Sequence, residues 1–83
     1  MSNHLTVLFF ATLKDRAGGR QASIDLAAGA TVRDLRAALG RQFPALTPLL
    51  PSALVAVNRQ YAFDDDVLPP QAEVALFPPV SGG

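Results

Sequence analysis

The chain has no cysteine, and this absence excludes several kinds of chemistry. Without a thiol the protein has no disulfide, no thiolate metal ligand and no cysteine nucleophile or persulfide. An excess of one charge is also missing, because seven basic residues balance seven acidic ones. The arginines are spread along the sequence, so we expect neither nucleic acid nor a membrane surface as a partner.

Long apolar runs are missing as well. No stretch approaches the ~18 uninterrupted apolar residues of a membrane-spanning helix. The first residues, Met1 to His4, lack the basic flank and apolar run of a secretory signal, so we expect a cytoplasmic protein. With 83 residues, 49% of them hydrophobic, the chain has room for one small domain and no second one.

Side chains for catalysis are scarce. The single histidine, His4, lies near what we expect to be a loose terminus and is interpreted as a solvated residue, not as a general base. The run Asp64 to Asp66 has no further ligands nearby in sequence, which indicates a solvated bend and no metal site. The chain also lacks the glycine-rich motifs that hold ATP phosphates, so we expect it to bind no cofactor.

The first half of the sequence predicts a hairpin. Residues Leu5 to Leu13 are mostly apolar on both faces, which is typical of a central strand. Lys14 to Arg20 contains Gly18-Gly19 and is predicted to be a turn. Gln21 to Leu26 then alternates polar and apolar residues, as a strand with one solvent-exposed side does.

A helix is predicted next, from about Val32 to Gln42. Thr31 followed by Asp34 resembles a capping box, and the apolar residues repeat at helical spacing. Three prolines then exclude a long helix or a central strand, so Ala45 to Ser52 is predicted to be a compact loop with one 3₁₀ turn.

The second half predicts short strands. They are Leu54 to Val57, a marginal strand from Tyr61 to Phe63 after a turn at Asn58-Arg59, and a last strand from about Glu73 to Phe77. Parallel strands need a long crossover, and the helix with its following loop provides one between the first and last strands. The order ββαββ therefore predicts an α+β fold of the β-grasp (ubiquitin-like) kind, a mixed sheet with one main helix packed on one face.

Alternation along the first and last strands predicts an apolar outer face. If Val7, Phe9, Val74 and Leu76 face the helix, then Leu8, Phe10, Ala75 and Phe77 point to the other side, where Tyr61 joins them. Nothing in the chain is left to cover these residues. Exposed aromatic patches of this kind usually mark a docking surface.

The sequence ends in Ser81-Gly82-Gly83, directly after an apolar strand and Pro78-Pro79. The fixed φ of proline projects the chain away from the sheet, and paired glycines can thread where any side chain would collide. We therefore expect a single domain over residues 1–77 and an extended tail over 78–83. The Gly83 carboxylate is the one distinctive reactive group, and a separate protein must activate it.

Three segments together resemble a known family. They are Val7-Leu8-Phe9-Phe10-Ala11, Val55-Ala56-Val57-Asn58 and the ending Glu73 to Gly83, whose Phe-Pro-Pro-Val-Ser-Gly-Gly is the specific part. The chain resembles the sulfur-carrier small subunits of molybdopterin synthase. It departs from them at Pro70-Gln71-Ala72, where a Gly-Asp turn is common, and at Tyr61, which is often aliphatic.

The resemblance implies a sulfurtransferase complex in which this chain supplies no catalytic side chain. An E1-like enzyme adenylates Gly83 with ATP, a sulfur donor converts it to a thiocarboxylate, and the tail inserts into the large subunit. There the sulfur passes to cyclic pyranopterin monophosphate for molybdenum cofactor biosynthesis. The implied partner-binding residues are Phe10, Tyr61, Phe77, Pro78 and Pro79, and the implied inserted tail is Val80, Ser81, Gly82 and Gly83.

Three alternatives remain open at this point. A thiamine-type sulfur carrier has the same fold and thiocarboxylate but another acceptor. A ubiquitin-like modifier is joined to target lysines through Gly83, and Lys14, the only lysine, would then be the single side-chain attachment point for chains. The third is a β-grasp interaction domain with an incidental tail.

Overall fold

A five-stranded mixed sheet with one main helix on one side forms the protein, in a computed structural model that describes residues 2–79. The strand order across the sheet is β2-β1-β5-β3-β4. The elements along the chain are β1 (Ser2–Phe9), α1 (Thr12–Ala17), β2 (Gln21–Ala27), α2 (Val32–Gln42), 3₁₀ turns at Pro44–Leu46 and Leu50–Ser52, β3 (Leu54–Val57), β4 (Gln60–Tyr61) and β5 (Glu73–Phe77). This is the two-layer α+β arrangement predicted from the sequence.

The first and last strands pair in parallel at the centre of the sheet. Val7 is the register partner of Val74, and Phe9 is the partner of Leu76. All four side chains are buried. The prediction that the two most apolar strands lie side by side is therefore confirmed, and β5 lies between β1 and β3 in the sheet.

Helix α2 begins at the capping box predicted from Thr31 and Asp34. The Asp34 amide donates to Thr31 Oγ1 at 3.3 Å, and the Thr31 amide donates to Asp34 Oδ2 at 2.9 Å. These bonds satisfy two amides at the helix start that have no partner within the helix. The helix buries one apolar stripe against the sheet, formed by Val32, Leu35 and Leu39.

The core lies between this stripe and the inner face of the sheet. Leu5 and the inner residues of β5 are fully buried in it, and Phe9 packs edge-on against Phe43 with ring centroids 5.5 Å apart. The two 3₁₀ turns close one end through Leu46 and Leu50. The predicted compact loop thus contains two such turns, in place of the one we expected.

The predicted turn from Lys14 to Arg20 is wrong, because most of it is helix α1. Strand β1 also ends earlier than predicted: Ala11 adopts a left-handed φ of 53°, which terminates the strand. Gly18, at φ 79°, ends the helix, and its amide donates to the Lys14 carbonyl. This is the αL helix end that glycine favours. The buried Leu13 holds the short helix to the core.

The run Asp64 to Asp66 is also more than a solvated bend. Its backbone carbonyls accept hydrogen bonds from the first amides of α2, Val32 and Arg33, both at 3.0 Å. Asp64 accepts from Arg36 Nε at 2.9 Å, and Asp65 accepts from Arg33 at 2.7 Å. The hydrogen bond to Asp65 and then its charge raise the pKa of Arg33 above the ordinary value. This acidic segment therefore docks onto the start of the helix.

The turn between β3 and β4 uses two residues with left-handed backbones, Asn58 at φ 48° and Arg59 at φ 72°. Asn58 is tied to the start of β5, since its amide donates to the Glu73 carbonyl at 2.8 Å and its Oδ1 accepts from the Glu73 amide at 3.0 Å. Asparagine is favoured at such positions, whereas a residue such as Arg59 costs on the order of 1 kcal/mol there. The marginal strand predicted from Tyr61 to Phe63 is shorter and ends at Tyr61.

Candidate functional site

The outer face predicted from the alternation lies on the side of the sheet opposite α2. Along β1 and β5 every second residue is buried toward the helix, while Leu8, Phe10, Ala75 and Phe77 face the other way and are exposed or half-buried. No element among residues 2–79 packs over these four side chains. The sheet therefore has one side that forms the core and one apolar side open to solvent.

Phe10 and Phe77 are stacked at the end of the central strand pair. Their ring centroids are 4.8 Å apart and their planes differ by 12°. Phe10 is still 41% exposed, although a buried position is usual for a phenylalanine. Together with Leu8, Ala75 and Tyr61, the two rings line a shallow depression of about 370 Å³. A partner can bury these rings without any change in the core.

Tyr61 joins this outer face from β4, as predicted. It is the register partner of Ala56, which in turn pairs with Ala75, so the three side chains lie on the same side of the sheet. Tyr61 is 72% exposed. Leu54 and Ala56 also lie on this face, although they were not predicted to. Alternation in β3 carries the signal, because the buried Val55 between them points to the core.

The tail begins at the middle of the sheet. Strand β5 ends at Phe77 and is followed by the half-buried Pro78 and the exposed Pro79. The remaining predicted tail residues, Val80, Ser81, Gly82 and Gly83, lie outside the described residues. Phe77, one of the two stacked rings of the outer face, thus immediately precedes the segment to which the sequence assigns the chemistry.

His4 is not at a loose terminus, because it lies within β1. Its Nδ1 is 2.6 Å from Asp25 Oδ1 on the neighbouring strand, and both side chains are well exposed. The pair lies at the opposite end of the sheet from Phe77, given the register of β1 with β2 and β5. It therefore adds nothing to the chemistry expected of the tail.

The turn before β5, where the sequence has Pro70-Gln71-Ala72 in place of the Gly-Asp turn expected from the resemblance, has a left-handed residue. Gln71 adopts a left-handed φ of 57°, and the next residue, Ala72, is buried. The carbonyl of Ala72 accepts from the Thr6 amide at 3.1 Å, which continues the ladder between β1 and β5. The departure from the family pattern at this turn thus leaves the central strand pair intact.

Between Ser2 and Pro79 no three His, Asp or Glu side chains are grouped so as to hold a metal ion. In the same range, no helix has the length and apolar character needed to cross a bilayer.

Comparison with known proteins gives a consistent match. A model of the ThiS family matches residues 7–83. The molybdopterin synthase sulfur carrier subunit of Chlamydomonas reinhardtii is 35% identical over 81 residues, which cover 95% of this chain and 98% of that protein. The resemblance noted in three segments of the sequence therefore extends along nearly the whole chain.

Solved structures agree with this match. The small archaeal modifier protein 1 of Haloferax volcanii is 31% identical with a TM-score of 0.85, over 94% of this chain and 99% of that chain. A chain from the complex of subunits 1 and 2 of the molybdopterin-converting factor of Helicobacter pylori is 25% identical with a TM-score of 0.68, over 96% and 99%. The predicted β-grasp fold is confirmed, and the chain belongs to the ThiS family.

Proposed function

We propose that this chain is the sulfur carrier subunit of molybdopterin synthase, with the sulfur carried at the carboxyl group of Gly83. The observation that supports it best is the uncovered outer face, on which Phe10 stacks against Phe77, the residue directly before the tail. A carrier needs such an arrangement, because the body must dock while the tail reaches into a partner's site. The similarity to curated sulfur carrier subunits supports the same role.

The chemistry begins with activation, because a free carboxylate does not react with nucleophiles. In the proposed cycle a Gly83 oxygen attacks the α-phosphorus of ATP on an E1-like enzyme, and pyrophosphate leaves. The outer sulfur of a persulfide on the sulfur donor then attacks the acyl carbon, and AMP leaves with the bonding electrons. A second thiol of the donor cleaves the resulting acyl disulfide, which releases the thiocarboxylate and leaves a disulfide on the donor. ATP is bound by the activating enzyme and not by this chain, which has neither glycine-rich phosphate motif.

The thiocarboxylate sulfur is the nucleophile of the second stage. In the large subunit it forms a bond to a carbon of cyclic pyranopterin monophosphate. Water then cleaves the bond between this sulfur and the Gly83 acyl carbon, so the sulfur stays on the pterin and Gly83 returns to a carboxylate. Two such deliveries supply the two dithiolene sulfurs of molybdopterin. The Helicobacter pylori complex of subunits 1 and 2 supports a large-subunit partner. Because the carrier atom belongs to the backbone, the proposal accounts for a sulfur protein without cysteine.

Incubation with an E1-like enzyme, ATP and a sulfur donor tests the proposal. We expect the intact mass to rise by one oxygen-to-sulfur exchange, located at Gly83 by fragmentation. Omission of ATP is the control, since no acyl-adenylate then forms. An unchanged mass, under conditions that thiocarboxylate a known relative, would refute both sulfur-carrier functions. Synthesis of molybdopterin with a large subunit then distinguishes this carrier from the thiamine type.

A modifier function is the second candidate, and the similarity to small archaeal modifier protein 1 favours it. Conjugation uses the same acyl-adenylate, but a lysine amine then displaces AMP and forms an isopeptide bond. The two functions are compatible because they diverge only after adenylation. Conjugates that persist after thiol treatment and carry a glycine remnant on lysine would support this candidate.

Phe77→Ala tests the outer face as a docking surface. We expect the affinity for the large subunit to fall by about 1 to 3 kcal/mol, because a half-buried ring in a patch of this kind is typical of an interface anchor. Titration calorimetry measures the change. Val67→Ala is the control, since Val67 is an apolar residue that is 62% exposed but bridges to Thr31 at the start of α2, away from the outer face. Equal losses for both variants, or none for Phe77→Ala, would contradict the assignment.

A further inference from the structure

Three basic side chains lie beside the outer face, although the chain as a whole has no net charge. Lys14 and Arg20 line a depression of about 410 Å³ together with Leu8 and Phe10. Arg59 lines the depression on the other side of the same two residues. All three basic residues are exposed. The apolar surface is thus flanked by positive charge on two sides.

Most acidic side chains are occupied elsewhere. Asp64 and Asp65 pair with arginines of α2, and Asp34 caps that helix. Asp25 pairs with His4 at the other end of the sheet. Among the residues that line the two depressions beside Phe10, the one acidic residue is Glu73. The fold therefore places three basic residues and one acidic residue around the outer face, a net positive charge that the scattered arginines of the sequence do not reveal.

Arg59 provides a second observation. It occupies the second position of a two-residue turn at φ 72°, where glycine is the favoured residue after asparagine. An arginine at this position is less stable than a glycine would be, and the turn itself does not require its side chain. The hydrogen bonds of Asn58 to Glu73 hold the turn next to β5 and so fix where Arg59 emerges. A strained residue with an exposed cation beside an apolar face points to a role in binding.

We propose that Arg59 on one side of the outer face, and Lys14 with Arg20 on the other, bind carboxylates on the rim of the large-subunit surface that covers Phe10 and Phe77. This inference rests on the proposed function. The occupant is thus a protein surface with an apolar centre and acidic residues on two opposite sides. Charges at such a rim act mainly on the rate of association and on its salt dependence.

Arg59→Gly gives the sharpest test, because the change should relax the turn and weaken binding at the same time. We expect an unchanged or higher melting temperature. In about 50 mM NaCl we expect affinity for the large subunit to fall about two- to fivefold, mostly through slower association. The difference should disappear in about 500 mM NaCl, where exposed charges are screened. Stopped-flow or surface plasmon resonance measures both rates.

Three further variants complete the design. The double variant with Lys14→Ala and Arg20→Ala should lower the association rate at least as much as Arg59→Gly does. Arg59→Lys keeps the charge, so its association rate should be close to that of the wild-type chain. Arg41→Ala is the matched control, because Arg41 is an exposed arginine in the last turn of α2, on the helix side of the sheet. Its removal should leave the association rate unchanged.

The outcomes separate this inference from the proposed function. If the wild-type chain binds the large subunit but Arg59→Gly changes neither affinity nor salt dependence, the inference is wrong and the carrier function stands. Equal effects of Arg41→Ala and Arg59→Gly would show a general charge effect and also overturn it. Loss of binding only to the activating enzyme, or only to a second copy of this chain, would do the same. Failure of the wild-type chain to bind counts against the proposed function, and the inference falls with it.

Discussion

Deletion of Gly83 is expected to abolish sulfur transfer without a change in melting temperature. The shortened chain ends one residue earlier, so its carboxyl group falls about 3.3 to 3.6 Å short of the partner's reactive position. A misplacement of about 1 Å already costs roughly a hundredfold in rate, so we expect activity below detection. The melting temperature should not change because the buried core residues lie in the sequence from Leu5 to Leu76, before the tail.

Gly82→Trp tests whether sulfur transfer depends on the width of the tail as well as on its length. This variant keeps Gly83 and the full length, but its indole has no room in a passage that accepts two glycines. We expect the same loss of sulfur transfer, whereas Ser81→Ala serves as a mild control and should stay within a few-fold of wild type. The measurement is single-turnover synthesis of molybdopterin from thiocarboxylated protein, with thermal unfolding in parallel. Activity retained by Gly82→Trp would show that the tail does not thread into a narrow site.

Leu5→Ala is expected to cause the largest loss of stability, and Leu8→Ala a much smaller one. Both leucines lie on β1 and differ in the face they occupy: Leu5 is fully buried toward α2, and Leu8 is half-buried on the outer face. Removing a buried leucine costs about 2 to 5 kcal/mol, since it leaves a cavity as well as losing apolar burial. In a domain of this size that lowers the melting temperature by roughly 10 to 30 °C.

Binding should show the opposite order. Protein with Leu5→Ala, measured at a temperature where it stays folded, should bind the large subunit like wild type. Leu8→Ala should weaken binding, because its side chain lines both depressions of the outer face. Urea unfolding and titration calorimetry give the two quantities for each variant. Similar losses of stability for the two leucines would contradict the division of the sheet into a core side and a binding side.

Much of the fold was predictable because its signals are local. The capping box at Thr31 and the apolar spacing of α2 gave the helix bounds, and the two apolar strands gave the central pair. Helix α1 was missed because six residues are too few for a periodic signal. Gly18-Gly19 did mark its end, but a glycine pair marks the end of a helix and a turn equally well.

The tertiary role of the acidic run could not be predicted from the sequence. Asp64 and Arg36 are 28 residues apart, and their contact depends on how the loop after β4 returns to α2. The positive charge around the outer face could not be predicted either, because it also depends on the tertiary structure. Lys14 lies in α1, Arg20 directly before β2 and Arg59 in the turn after β3, so only the folded chain brings them to one surface. By contrast, the aromatic residues of that surface were found because alternation in a strand assigns a face directly.

The central position of β5 has a consequence for synthesis of the protein on the ribosome. Every earlier strand is made before the one that must insert between β1 and β3, so a nascent chain lacking Glu73 to Phe77 has a divided sheet. The contacts that join the halves span most of the sequence, and contacts of this kind form late. Under the proposed function, the outer face that an activating enzyme would recognise is therefore complete only after β5 has been made.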